Sequence, residues 1–192
     1  MPRHQPRKIK VPTEPYLHNV ALFYLERFSA TAEMLRRVLT RRVERAARAG
    51  VIDEAGKSNA LETVNRLVAQ AVTAGLVNDA LYAEARAVSL LRRGKSPTWM
   101  MQDLAERGIA QESRTAAIDK LAETYGDHQN LTVEAALTLA RKRRIGPYRL
   151  PDESPLEPEE QNRRRLREMG IMARAGFDYQ TAAEVISRPG RR

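Results

Sequence analysis

Apolar residues recur at spacings of three and four along nearly the whole chain, and most of the stripes they form stop at a glycine. Leu17, Val20, Tyr24 and Phe28 make the first stripe, and Leu35, Leu39 and Val43 the second. Leu61, Val64, Val68 and Ala71 end at Gly75; Leu81, Ala85, Val88 and Leu91 at Gly94; Met100, Met101 and Leu104 at Gly108; Ala117, Ile118 and Leu121 at Gly126. Residues 131–144, residues 162–175 before Gly176, and residues 179–187 complete the series. A period near 3.6 puts one face of a helix against a core. Glycine readily takes the left-handed conformation that closes a helix. Nothing alternates with the period of two that a half-buried strand requires, so the expected fold is all-α.

The stripes group in threes. "LAERGIAQESRTAAI" (residues 104–118) and "MARAGFDYQTAAEVI" (residues 172–186) keep an apolar residue, a glycine, a large apolar residue and a terminal isoleucine in register at an offset of 68 residues. "LRRVLTRR" (residues 35–42) aligns with "MMQDLAER" (residues 100–107), with Val43 in place of the glycine and an insertion near "RAGVIDEAGKSNA" after it. The expected organisation is tandem three-helix repeats over residues 16–75, 76–126 and 127–187. With only 5% aromatic and 42% hydrophobic residues, each unit is expected to bury a small core largely within itself. Stacked units of that kind form an elongated, curved molecule.

Three segments fall outside this pattern. Residues 1–15 are rich in proline and basic residues and read as a disordered basic tail, and residues 188–192 as a second basic tail. "GPYRLPDESPLEPEEQ" (residues 146–161) holds four prolines and five acids in sixteen residues, so it is expected to interrupt the third repeat as an extended acidic surface loop without essential packing.

Gly-Lys-Ser occurs at residues 56–58 and again at 94–96, the last three letters of a phosphate-binding loop. Such a loop needs a glycine five residues before its Gly-Lys and a buried strand leading into it. Ser89 occupies that position before Gly94. Before Gly56 the nearest glycine is Gly50, one residue too far, with Asp53 and Glu54 between them to repel phosphate. Helix punctuation explains residues 94–97 better: Gly94 closes one helix, Ser96 caps the next, and Pro97 stands at the first helical position, where its missing N–H costs nothing. No nucleotide or other cofactor is expected.

The chain has no cysteine, which excludes disulfides, thiolate metal sites and cysteine nucleophiles and fits a reducing compartment. His4, His18 and His128 lie on different segments, without the i, i+4 spacing of a helical metal site. Carboxylates mostly alternate with arginine on helix faces, and nothing resembles a nucleophile elbow. No run approaches the length of a membrane span. The chain is expected to be a cytoplasmic monomer without enzymatic activity.

Charge is the remaining signal. There are 33 Lys and Arg against 24 Asp and Glu, a net charge of +9, and the excess points to a polyanion or an acidic protein surface. The basic residues cluster: Arg36, Arg37, Arg41, Arg42, Arg45 and Arg48; Arg92, Arg93 and Lys95; Arg107; Arg141, Lys142, Arg143 and Arg144; Arg163, Arg164, Arg165 and Arg167. Isolated surface charges of this kind are often merely solvated.

"GLVNDALYAEARAVSLLRRGKSPTWMMQDLAERGI" (residues 75–109) resembles the central segment of RecX regulatory proteins, through Gly75, Asn78, Asp79, Tyr82, Ala83, Glu84, Arg92, Arg93, Gly94, Lys95, Pro97, Arg107, Gly108 and Ile109. "RKRRIGPYR" (residues 141–149) and "MARAGFDYQTAAEVI" extend the likeness over roughly residues 16–187. Ser96 departs from the usual glycine and Asn78 from the usual acid. The resemblance implies a non-enzymatic modulator of RecA, built from three-helix repeats. It would dock on the RecA nucleoprotein filament and inhibit filament growth, ATP hydrolysis and strand exchange, activities of homologous recombination, DNA repair and the SOS response. On this reading the partner-binding residues are Arg92, Arg93, Lys95, Arg107, Arg141, Lys142, Arg143, Arg144, Arg163, Arg164 and Arg165. The alternative from charge alone is a regulator that binds nucleic acid directly through the same arginines, with weak DNA affinity.

Overall fold

The computed structural model describes residues 9–150 and 157–189. Residues 1–8 of the expected N-terminal tail, 151–156 of the expected loop and 190–192 of the expected C-terminal tail lie outside them. The described residues form nine α-helices and no strand: α1 Glu14–Leu25, α2 Ala32–Arg48, α3 Glu54–Thr73, α4 Asp79–Leu91, α5 Pro97–Glu106, α6 Gln111–Tyr125, α7 His128–Arg143, α8 Pro158–Arg174 and α9 Tyr179–Ser187, with one 3-10 turn at Gly146–Tyr148.

Local chemistry sets the helix starts. The side chains of Thr31, Asp53, Ser96, Asp127 and Asp178 each accept a hydrogen bond from the backbone N–H three residues on, satisfying donors that a helix N-terminus leaves open. Asp178 is held below the usual carboxylate range, first by the Thr181 backbone N–H and then by the Thr181 hydroxyl. In the first Gly-Lys-Ser, the Gly56 N–H donates to Asp53 at 2.8 Å, so the amide a phosphate would need is taken by a cap. Helix ends are as local: Gly75, Gly94, Gly108, Gly126 and Gly176 all have positive φ.

The chain divides into two compact units at Tyr82/Ala83. In the first, α1, α2 and α3 pack around Leu17, Leu35, Leu39, Val43, Val64, Leu67 and Val68. The turn into α4 is fixed from both sides: Asn78 accepts from the Leu81 N–H at 3.0 Å and Asp79 accepts from the Ala32 N–H, at the start of α2, at 2.9 Å.

In the second unit, helices α4 to α9 contribute to one continuous core, which includes Leu90, Met100, Ile118, Leu131, Leu139, Met172, Phe177 and Val185. Separate small cores for the second and third triplets were expected. They merge because α7 packs against both α6 and α9, and because Gly94, lacking a side chain, lets the α4–α5 turn lie directly on α7.

Other expectations need correction. α4 buries Ala83, Ala87, Leu90 and Leu91, whereas Leu81 is 62% exposed and Ala85 is exposed; Val88 and Leu91 pack on the core as expected, but in the first two turns small alanines, not Leu81, face the neighbouring helices. Phe28 lies beyond the end of α1, its ring 5.3 Å from that of Tyr24. The first helix starts at Glu14, inside the expected tail, with Thr13 at its N-cap and Pro15 in its first turn, a place where proline is tolerated.

The expected loop 146–161 is structured at both ends. Gly146 and Pro147 are buried, and Pro158 opens α8. Its carboxylate-rich reading missed the anchor: Glu168, 4% exposed, accepts two hydrogen bonds from the Arg149 guanidinium and one from the Gly146 N–H at 3.4 Å.

Candidate functional site

Three helix C-termini converge in the second unit. α4 ends through Gly94 at φ +73°, α7 through Arg144 in the left-handed region at φ 53° and ψ 50°, and α8 through Gly176 at φ +89°. The turn between α4 and α5 is locked against the other two. A Cβ on Gly176 would collide with Ser96 Oγ and stand 3.0 Å from Trp99 Cβ. The Ser96 N–H donates to the Ala175 carbonyl at 3.1 Å. The second Gly-Lys-Ser thus joins two helices and grips a third: Ser96 is buried, its Oγ accepting from the Trp99 N–H at 3.1 Å.

This junction carries a cleft of about 660 Å³, lined by Arg93, Lys95, Lys142, Arg143 and Arg174, with Leu139, Ile171 and Ala175 completing the wall. Among the described residues no carboxylate lines it. Basic residues suit helix C-termini, whose exposed carbonyls amount to about half a negative charge each. Three termini therefore offset roughly one and a half charges, and the five cations leave the cleft strongly positive. Lys95 is steered by Trp99, its Nζ lying 4.2 Å from the ring centroid.

Arg93, Lys95, Lys142 and Arg143, all expected from the sequence, come together here. Other expected residues do not line this cleft. Arg92 and Arg144 are exposed beside it. Arg141 turns to Tyr148, its guanidinium carbon 5.2 Å from the ring centroid and its Nη2 donating to the phenol oxygen at 3.2 Å. Arg163 and Arg164 share a hollow with Glu160, Leu166 and Arg167, and Arg165 lies in another with Met169 and Tyr179. Arg107 is committed to structure: it and Arg86 grip Asp103 from two helices, at 2.8 Å each. Burial works to raise the Asp103 carboxyl, but the bonds from Arg86 and then Arg107 outweigh it and hold the group well below the usual carboxylate range.

Arg174 was missed. Its signal is its place in the last turn of α8, two residues before Gly176, where a cation also faces the helix dipole.

The chain is thus all-helical among the described residues, with five cations gathered at helix ends over an aliphatic wall. Comparison with known proteins places it. A family model described as RecX, second three-helix domain, matches residues 78–118, the span of α4 to α6 up to Ile118. Regulatory protein RecX of Myxococcus xanthus (strain DK1622) is 37% identical over 182 residues, covering 95% of this chain and 88% of the relative. Regulatory protein RecX of Agrobacterium fabrum (strain C58 / ATCC 33970) is 28% identical over 172 residues, covering 90% and 82%. The crystal structure of RecX from Lactobacillus salivarius shares the fold, with a TM-score of 0.56 at 20% identity, covering 90% of this chain and 94% of that one. The chain belongs to the RecX family of regulatory proteins. No helix among the described residues is long and apolar enough to cross a membrane.

Proposed function

We propose that this protein binds RecA and its nucleoprotein filament and thereby inhibits filament growth, ATP hydrolysis and strand exchange in recombinational repair. The observation that carries the reading is one of placement. The Arg93–Lys95 turn lies in the middle of the stretch that resembles the RecX pattern, and it is also one wall of the basic cleft. Many contacts with an acidic or phosphate-bearing surface, made by a locked junction rather than by mobile side chains alone, suit a protein that occupies a filament and blocks its reactions.

The test is RecA hydrolysis of ATP on single-stranded DNA, together with strand exchange, at increasing concentrations of the protein. Both should fall, and the protein alone should hydrolyse nothing. If both persist at saturating protein, the proposal fails. The second reading, direct binding to nucleic acid, draws on the same cations. It predicts affinity for bare DNA that drops steeply with salt, with no preference for DNA coated by RecA.

A further inference from the structure

The cleft's chemistry is more specific than positive charge. Elsewhere basic side chains are often matched at home: Arg66 with Glu14, Lys120 with Glu84, Arg188 with Glu184, and Arg86 and Arg107 with Asp103. Arg93, Lys142, Arg143 and Arg174 meet no carboxylate among the described residues. Between them the wall is aliphatic, formed by Leu139, Ile171 and Ala175. A phosphodiester backbone has nothing to place on such a wall.

A nucleic-acid strand that brought its bases inward would need open aromatic faces to stack on. The cleft lining contains no aromatic residue, and Trp99, beside it, is covered by Lys95. A peptide supplies both halves of the match: carboxylates for the rim and one large apolar side chain for the wall. The volume, about 660 Å³, admits such a side chain with the chain flanking it. The junction is also preorganised, because the Ser96–Ala175 hydrogen bond and the close approaches at Gly94 and Gly176 fix its three sides before anything binds.

We propose that this cleft is a docking site for an acidic peptide segment of the regulated protein, with one large apolar side chain seated on Leu139, Ile171 and Ala175 and flanking carboxylates held by Arg93, Lys95, Lys142, Arg143 and Arg174. The inference rests on the function proposed above, whose filament partner would carry the segment.

The test uses the full chain and a fluorescently labelled peptide of Asp and Glu with a single central Phe. A second peptide has Ser in place of the Phe, and a labelled oligothymidylate of similar length serves as the nucleic-acid probe. Anisotropy should show the Phe peptide binding about tenfold more tightly than the Ser peptide, as expected for burial of one aromatic side chain. Lys142→Glu combined with Arg143→Glu should weaken it by at least about tenfold. Both residues are exposed, and an unchanged melting temperature would show the variant folded. The proposal is overturned if the two peptides bind alike, if the double variant binds the Phe peptide as wild type does, or if oligothymidylate binds more tightly than the peptide and loses affinity in the same variant. RecA hydrolysis measured in parallel separates the two ideas. Peptide binding that behaves as described, with no inhibition by wild type, supports the docking chemistry while removing the function proposed for it.

Discussion

Gly94 rests on the backbone of Leu139: a Cβ at position 94 would stand 2.7 Å from the Leu139 Cα, Cβ and N. One missing side chain thus decides where the α4–α5 turn sits on α7, and with it where Arg93 and Lys95 lie relative to Lys142 and Arg143. The glycine that shares its letters with a phosphate loop is a packing device, and it shapes the basic cleft proposed above as a docking site.

Gly94→Ala should therefore lower stability by roughly 2–4 kcal/mol, the cost of a left-handed alanine added to overpacking against a helix backbone. Gly75→Ala is the control. Gly75 has nearly the same φ, +71° against +73°, but nothing within 4 Å of its added Cβ, so only the conformational cost remains, about 1 kcal/mol. Urea unfolding of the two variants beside wild type measures the difference; equal losses would show that the contact with Leu139 is not what matters.

Asp103 links α5 to α4 through Arg86 and, on its own helix end, to Arg107. Because its carboxyl is held low in the folded state, it contributes stability above the unfolded value of about 3.9, and that contribution is lost as pH falls from there toward the folded value. Asp103→Asn should cost about 3 kcal/mol at neutral pH, the low end for breaking a buried pair, since both arginines keep some contact with water. The gap in melting temperature between wild type and variant should narrow below about pH 4. A constant gap across that range would rule the ionised carboxylate out as its source.

What could be read from the sequence was what is local. Gly94, Ser96 and Pro97 announce a helix end and a helix start within four residues, whereas the Asp53, Asp127 and Asp178 caps went unread, because Gly56, Asn130 and Thr181 three positions on complete no capping box. The face α4 buries was less legible, because Leu81 and Ala83 differ by half a turn and only the neighbouring helices decide between them. The cleft was half legible: basic residues near helix ends could be seen, but not that the α4, α7 and α8 ends converge. Arg107 looked like its neighbours in composition, and only the fold reveals that Asp103 and Arg86 claim it.

The half-buried Arg149 and the buried Glu168 form a second pair, tying the 3-10 turn to α8. Arg149→Leu should destabilise by about 3 kcal/mol, again the low end for a partly solvated pair, by leaving the buried Glu168 carboxylate without its guanidinium. Pairing that change with Glu168→Met should restore most of the loss, because replacing both partners with apolar groups of similar volume is often neutral. Thermal unfolding of the single and double variants gives the answer, and a double variant as unstable as the single one would mean that the pair itself is needed.

Arg107 and Arg93 should separate stability from binding. Arg107 donates to both Asp103 carboxylate oxygens, at 2.8 and 3.2 Å, so Arg107→Ala should cost about 2 kcal/mol, typical of hydrogen bonds to a charged group. Inhibition of RecA hydrolysis should stay intact at temperatures where the variant is folded. Arg93 is exposed in the cleft lining; Arg93→Ala should shift stability by no more than about 0.5 kcal/mol while weakening inhibition. Adding Lys95→Ala should weaken inhibition further, although here a small stability loss is expected because Lys95 also lies over Trp99. Inhibition curves and melting temperatures for the three variants decide the matter: if Arg107→Ala loses inhibition while folded and Arg93→Ala does not, the partner meets the Asp103 cluster and not the cleft.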